Sequence, residues 1–130
     1  MQMNNSMNMM NNSVLETDLA LLRRNAESIV RAIPAGTKLL PVLKCDAYGL
    51  GAAEIARVLE PLEAVVGFAV AHVSEGLALR NAGITKDILV MSSALPWQLS
   101  AAVEANLTLA CGRAGFASEL QAAAKAAEQQ

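Results

Sequence analysis

Aromatic residues are scarce in this chain, with two Phe, one Tyr and one Trp making up 3% of 130 residues. A twisted antiparallel sandwich draws heavily on aromatic and β-branched side chains, so the scarcity argues against one. The abundance of Ala, Leu and Val suits helices packed on a buried parallel sheet. Positive charge is equally short: ten Lys and Arg stand against twelve Asp and Glu, for a net charge of −2. The basic residues are scattered, which leaves no electrostatic footprint for nucleic acid. No apolar run reaches the roughly 18 residues a membrane helix needs. The opening MQMNNSMNMMNN has neither the positive nor the apolar region of a secretory signal, and residues 1–13 read as a disordered Met- and Asn-rich start. Cys45 and Cys111 lie far apart and the chain has one histidine, so no metal-ligand spacing and no disulfide framework is present. The expectation is a reducing, cytoplasmic compartment in which each cysteine serves as a small buried hydrophobe.

The rest of the chain alternates. Leu19, Leu22, Ala26, Ile29, Val30 and Ile33 fall on one face of a helix between about Glu16 and Ile33, ended by Pro34, Ala35 and Gly36. Leu39 to Leu43 is too short and too apolar for anything but a buried strand. A helix follows from Ala52 to Glu60, a strand from Val65 to Val70 and a helix from Ser74 to Asn81, with Gly83 as its stop. Ile88 to Met91 reads as a strand, Pro96 as the first turn of a helix through Leu99, Ala102 and Val103, Leu107 to Ala110 as a fourth strand, and Ala117 to Glu128 as a last helix. Strands alternating with helices predict parallel βαβ units, either in a doubly wound sheet or in part of a (β/α)8 barrel.

A complete (β/α)8 barrel takes roughly 250 residues, and four strand-helix units in 130 residues amount to half of one. The chain stops inside the helical stretch AAAKAAEQQ without a cap, which favours the front half of something larger. Half a barrel leaves its outer strand edges and inner face open to association.

In parallel α/β folds the sites lie at the carboxyl ends of the strands. Lys44 stands at such an end, opening the stretch KCDAYGLG. A lysine there serves as an anion-binding charge, an ion-pair partner, or a nucleophile toward a carbonyl such as that of pyridoxal phosphate. The last use needs partial desolvation, which favours the neutral amine. Gly49 and Gly51 allow a turn with positive φ, and Tyr48, four residues after the lysine, adds a hydroxyl and a ring. Spacing alone is not specific: GLG is neither a dinucleotide fingerprint nor a P-loop.

PVLKCDAYGLG resembles the pyridoxal-phosphate attachment motif of the alanine racemase family, A-V-x-K-A-[DN]-A-Y-G-H-G. LETDLALLRRN resembles that family's opening helix, GFAVAHVSEGLALRNAGI its second strand and helix, and ILVM its third strand. The resemblance runs from about Leu15 to the C-terminus. It implies an α/β fold that is the first half of a (β/α)8 barrel over residues 14–130, with the family's C-terminal domain absent. The implied activity is a racemase dependent on pyridoxal 5'-phosphate and interconverting L-alanine and D-alanine. Lys44 would be the Schiff-base lysine and the base on one face, Tyr48 would lie beside the cofactor phosphate, and Met91 would line the cofactor. The complete enzyme is expected to be a homodimer, with the opposite-face base supplied from the C-terminal domain of the other subunit. Cys45 replaces a usual alanine and Leu50 a usual histidine, and the second change bears on substrate preference. A catalytically silent fragment and a broad-specificity amino-acid racemase are the alternatives.

Five other residues are assigned roles by position alone. His72 reads as a strand-end histidine with a local partner, and Trp97 as a packing residue at a helix start. Glu75 sits in the first turn of its helix, where the macrodipole favours a carboxylate. Arg80 and Arg113 are expected to be solvated or ion-paired on helix faces.

Overall fold

Asp18 starts the first helix. In the computed structural model, which describes residues 13–128, its side chain accepts from the N–H of Leu21 at 2.8 Å, an N-cap that satisfies one of the helix's free donors. Helix α1 (Leu19–Ala32) follows and ends before Pro34. Leu19, Leu22 and Ala26 press against the core while Ile29 is 52% exposed, so only part of the expected apolar stripe is used. Most of the expected Met- and Asn-rich start lies outside the described residues.

The next expected strand is interrupted. Residues 39–43 pair with the following strand through two isolated parallel bridges, Leu39 with Val65 and Val42 with Ala69. Backbone bonds join Leu39 N–H to Ala64, Val66 N–H to Leu39, Ala69 N–H to Pro41 and Leu43 N–H to Ala69. Pro41 has no N–H to give the ladder. The opposite segment advances four residues where this one advances three, a bulge of one residue.

A one-turn helix α2 (Lys44–Gly49) and α3 (Ala52–Leu59) then lead to strand β1 (Gly67–Val70). Helix α4 (Val73–Asn81), strand β2 (Asp87–Val90), a 3-10 turn at Pro96–Gln98, helix α5 (Leu99–Glu104), strand β3 (Thr108–Leu109) and helix α6 (Phe116–Glu128) complete the order. The strands form a parallel sheet β1-β2-β3. The sequence expectation of four parallel strands is therefore met by three, with the 39–43 segment bridged to the edge of β1. Gly67 lets β1 and β2 approach, since a Cβ there would collide with the Asp87 carbonyl.

One face of the sheet carries the core. Phe68 and Val70 of β1 and Ile88 and Val90 of β2 are fully buried beneath the helices, together with Leu79, Leu99, Ala102 and Phe116. The alternate residues face the other way: Leu40, Val42 and Met91 are each about 40% exposed, the open apolar face that half a barrel predicts.

At the N-terminal ends of the strands, two side chains hold the loops. Glu60 accepts from the N–H and hydroxyl of Thr85 and the N–H of Lys86 at 2.7–3.0 Å. Arg80 corrects its expected solvated or ion-paired place. Its guanidinium is half-buried and donates to four backbone carbonyls, Ile84 and Lys86 before β2 and Ala105 and Asn106 before β3, at 2.7–3.0 Å. The planar fork has five donors, and four carbonyls at loop ends satisfy it better than one carboxylate. Arg113 is ion-paired as expected, with Glu119.

Two other assignments are corrected. Trp97 is 76% exposed, because Pro96–Gln98 forms a 3-10 turn that directs it outward rather than a first α-turn against the core. Cys45 and Cys111 are both exposed free thiols, since each lies in a connection after a strand rather than on the helix-covered face.

Arg80→Ala frees four carbonyls at once and is expected to cost about 2–3 kcal/mol, a fall of about 8–12 °C in the melting midpoint. Arg80→Lys, which lacks the fork, should recover less than half of it. A midpoint within about 2 °C of the parent for Arg80→Ala would contradict the assignment.

Candidate active site

The carboxyl ends of the 39–43 segment, β1 and β2 share one rim, because the strands are parallel. Lys44 ends the first, Ala71 and His72 follow the second, and Met91 follows the third with its N–H bonded to Val70 at 2.9 Å. Of the three residues singled out in sequence, the fold brings Lys44 and Tyr48 together: the Lys44 Nζ lies 6.0 Å from the centroid of the Tyr48 ring. Met91 stands on the same rim two strands along, 40% exposed.

The turn that carries Lys44 is left-handed. Cys45, Asp46, Ala47 and Tyr48 have φ between +53° and +58° and ψ between +36° and +46°, followed by Gly49 and Gly51 at positive φ. For glycine this conformation is free, whereas each of the other four residues gives up roughly 1–2 kcal/mol. Asp tolerates it best; Cys, Ala and Tyr have no local reason to adopt it. A left-handed turn repeats its faces every three to four residues as a right-handed one does, so Tyr48 comes back over Lys44.

What holds the turn is visible around it. Ala47 is buried and its N–H returns to the Leu43 carbonyl at 2.9 Å. The Asp46 carboxylate accepts from the N–H of Ala52 at 2.8 Å, and its carbonyl from Gly51, fixing the start of α3. Glu75, from the first turn of α4, reaches across: Oε1 accepts from the Cys45 N–H at 2.7 Å, and Oε2 from the N–H groups of Ala71 and His72 at 2.8 and 3.0 Å. Sequence reading gave Glu75 only a place in the helix field. Two of its three partners are local, the Ala71 and His72 N–H groups at the start of α4; the third, Cys45, lies thirty positions back, where no local pattern points.

The network continues to β2. Ser92 donates its hydroxyl to the Ala71 carbonyl and stands 3.3 Å from Nδ1 of His72, the local partner expected for that histidine. Three strand ends are thus tied into one rim. No ion pair or hydrogen bond engages the Lys44 ammonium among the described residues. An apolar groove of about 430 Å³ runs between α1 and the 39–43 segment, with Tyr48 and Leu50 at its end.

Burial pushes the Glu75 carboxyl up, but the N–H groups of Cys45, His72 and Ala71 outweigh it and hold the group below the ordinary glutamate range. Glu60 is lowered in the same way, burial being outweighed by Lys86 and Thr85. A folded value below the unfolded one means that the unfolded chain binds more protons in acid. The stability is present above the ordinary value of about 4.3 and is lost as pH falls through the folded value. Melting midpoints should therefore be level above about pH 5.5 and fall below about pH 4.3. Glu75→Gln with Glu60→Gln should lower the plateau and flatten the acid slope, and an acid slope unchanged in that double variant would contradict the assignment.

Comparison with known proteins bears on this rim. The family model for the alanine racemase N-terminal domain matches residues 17–130. The alanine racemase of Geobacter sulfurreducens is 44% identical over 98 residues, covering 75% of this chain and 25% of that protein. That of Aquifex aeolicus is 38% identical over 96 residues, covering 74% and 28%. The solved alanine racemase of Clostridium difficile 630 in complex with cycloserine superposes with a TM-score of 0.76 at 33% identity, over 81% of this chain and 29% of that one. The alanine racemase of Bacillus anthracis with bound L-Ala-P gives 0.71 at 32% identity, over 78% and 26%. The chain spans about a quarter of the length of the curated relatives it matches. With a match that takes in the Lys44 turn, the Glu75 helix and all three strands, the chain belongs to the alanine racemase family, in the part described by its N-terminal domain.

Proposed function

We propose that this chain is the lysine-bearing first half of the (β/α)8 barrel of a pyridoxal-phosphate-dependent racemase interconverting L-alanine and D-alanine. The observation that carries the reading is the Lys44 amine, placed at the strand-end rim 6.0 Å from the Tyr48 ring centroid and without an ion pair among the described residues, in a chain of this family. The residues fit the cofactor: the Lys44 amine for its carbonyl, a 65% exposed Tyr48 whose hydroxyl suits a phosphate oxygen, and the apolar Met91 side chain as a wall. When bound, the cofactor supplies a sink for the electrons left behind as the α-proton departs.

Lys44 then has two duties, to attach the cofactor through Nζ and to hold or return a proton at that nitrogen on one face of the substrate. Tyr48 orients, and the apolar neighbours Leu40, Val42 and Met91 limit water. Racemisation also needs an acid-base group on the opposite face. The complete enzyme, read as a cytoplasmic homodimer, would take that group from its C-terminal domain, which agrees with the fraction of its relatives that this chain covers. Among the described residues no helix is long and apolar enough to cross a membrane.

A second reading follows from that one-sidedness: this stretch alone holds the cofactor without turnover. The two separate in one experiment. The chain is incubated with pyridoxal phosphate, reduced with borohydride and peptide-mapped, and exchange of the alanine α-hydrogen in deuterated water is followed in parallel. The adduct should fall on Lys44 in preference to Lys38, Lys86 and Lys125 and vanish from that peptide in Lys44→Ala. Exchange above background supports catalysis by this stretch, and background exchange supports holding alone. An adduct spread evenly over the four lysines would contradict both.

A further inference from the structure

We infer that Glu75 is a positioning residue for the Lys44 amine: by gripping the Cys45 N–H and the end of β1 together, its carboxylate sets the direction in which Lys44 presents its side chain. The inference rests on the reading of Lys44 as the cofactor lysine.

The Cys45 N–H belongs to the same plane as the Lys44 carbonyl. Holding that N–H at 2.7 Å from Glu75 Oε1 therefore fixes ψ of Lys44 and with it the angle at which the Cα–Cβ bond leaves the strand. The same bond pins the first of four left-handed residues, whose conformation is uphill without an outside partner. The other oxygen is engaged by Ala71 and His72, so the reference point for Lys44 is the end of β1, a strand fully buried in the sheet. Among the described residues the Glu75 carboxylate makes no ion pair with the Lys44 amine, so it acts through the backbone.

Both oxygens are required. A glutamine has a single acceptor oxygen and must turn its NH2 toward one side or the other. Keeping the two bonds to Ala71 and His72 is better than keeping one, so Glu75→Gln should release the Cys45 N–H and leave β1 held. Glu60 supplies a control at the opposite end of the strands: its three donors all meet one oxygen, Oε1, so a glutamine there removes the charge while an acceptor stays in place.

The test compares the parent chain, Glu75→Gln, Glu75→Asp and Glu60→Gln. Each is treated with pyridoxal phosphate and borohydride at a temperature where its circular dichroism matches the parent. The ratio of labelling at Lys44 to labelling at Lys125, exposed on α6, is then read by peptide mapping. Misdirection of a reacting group by about 1 Å costs up to about a hundredfold. The ratio should fall at least about tenfold in Glu75→Gln and less in Glu75→Asp, which keeps both oxygens on a shorter stem. Glu60→Gln should keep the parent ratio despite its lower melting point. Amide exchange over Cys45–Tyr48 should quicken in Glu75→Gln and not in Glu60→Gln. A parent ratio retained in Glu75→Gln would overturn the inference alone, and an equal loss in Glu60→Gln would reduce Glu75 to a general stabiliser. A parent chain with no preference for Lys44 would overturn the functional reading and this inference with it.

Discussion

Three backbone N–H groups converge on the Glu75 carboxylate, one from the residue after Lys44 and two from the residues that follow β1, and the arrangement of the rim depends on that convergence. Hydrogen bonds to an ionised acceptor are about twice as strong as neutral ones. Here they counter a backbone that local preference opposes at four successive positions. The core beneath supplies the rigidity: Phe68, Val70, Ile88 and Val90 are fully buried, so the end of β1 is a fixed point against which the turn can be held. Cause therefore runs from the packed face of the sheet to β1, from β1 through Glu75 to the turn, and from the turn to Lys44.

The two ends of the sheet divide the work. At the N-terminal end, Arg80 and Glu60 bind loops to one another, through four carbonyls and three donors respectively. At the C-terminal end the Lys44 amine has no ion-pair or hydrogen-bond partner among the described residues. In the proposed function such a group accepts a carbonyl and moves a proton, held in place through its backbone. The same division, stability at the bottom and chemistry at the top, is general to barrels built of parallel strands.

Much of this was legible in the chain. The period of Leu19, Leu22 and Ala26 marked α1, the alternation of short apolar runs with helical stretches marked a parallel sheet, and the stretch from Lys44 to Gly51 marked a glycine-bearing turn at a strand end. The illegible parts share a cause: each depends on a partner distant in sequence. Pro41 announces its missing donor, but the bulge that answers it lies in the opposing segment. Gly49 and Gly51 announce positive φ, but nothing in Cys45, Asp46, Ala47 and Tyr48 announces four more residues of it, because the restraints include the burial of Ala47 in the core and the grip of Glu75 on the Cys45 N–H. Arg80 looked like a surface cation because its acceptors are main-chain carbonyls, which carry no signature in sequence. Cys45, Cys111 and Trp97 were placed by the average habits of their residue types, and their positions in connecting turns expose them instead.

The hand of the turn at Lys44 is the claim on which the rest stands, and one pair of variants reads its sign. Cys45 is exposed, so replacing it by Ala or by Gly disturbs little packing and changes mainly the backbone's freedom. At a φ of +54° glycine escapes the left-handed penalty that alanine retains, whereas in ordinary backbone glycine is the worse residue by roughly 0.5–1 kcal/mol. The measurement is the melting midpoint of Cys45→Gly against that of Cys45→Ala. The account predicts that the glycine variant melts higher, by about 2–4 °C; an alanine variant that melts higher would mean that Cys45 is not left-handed and that Lys44 is aimed by something else.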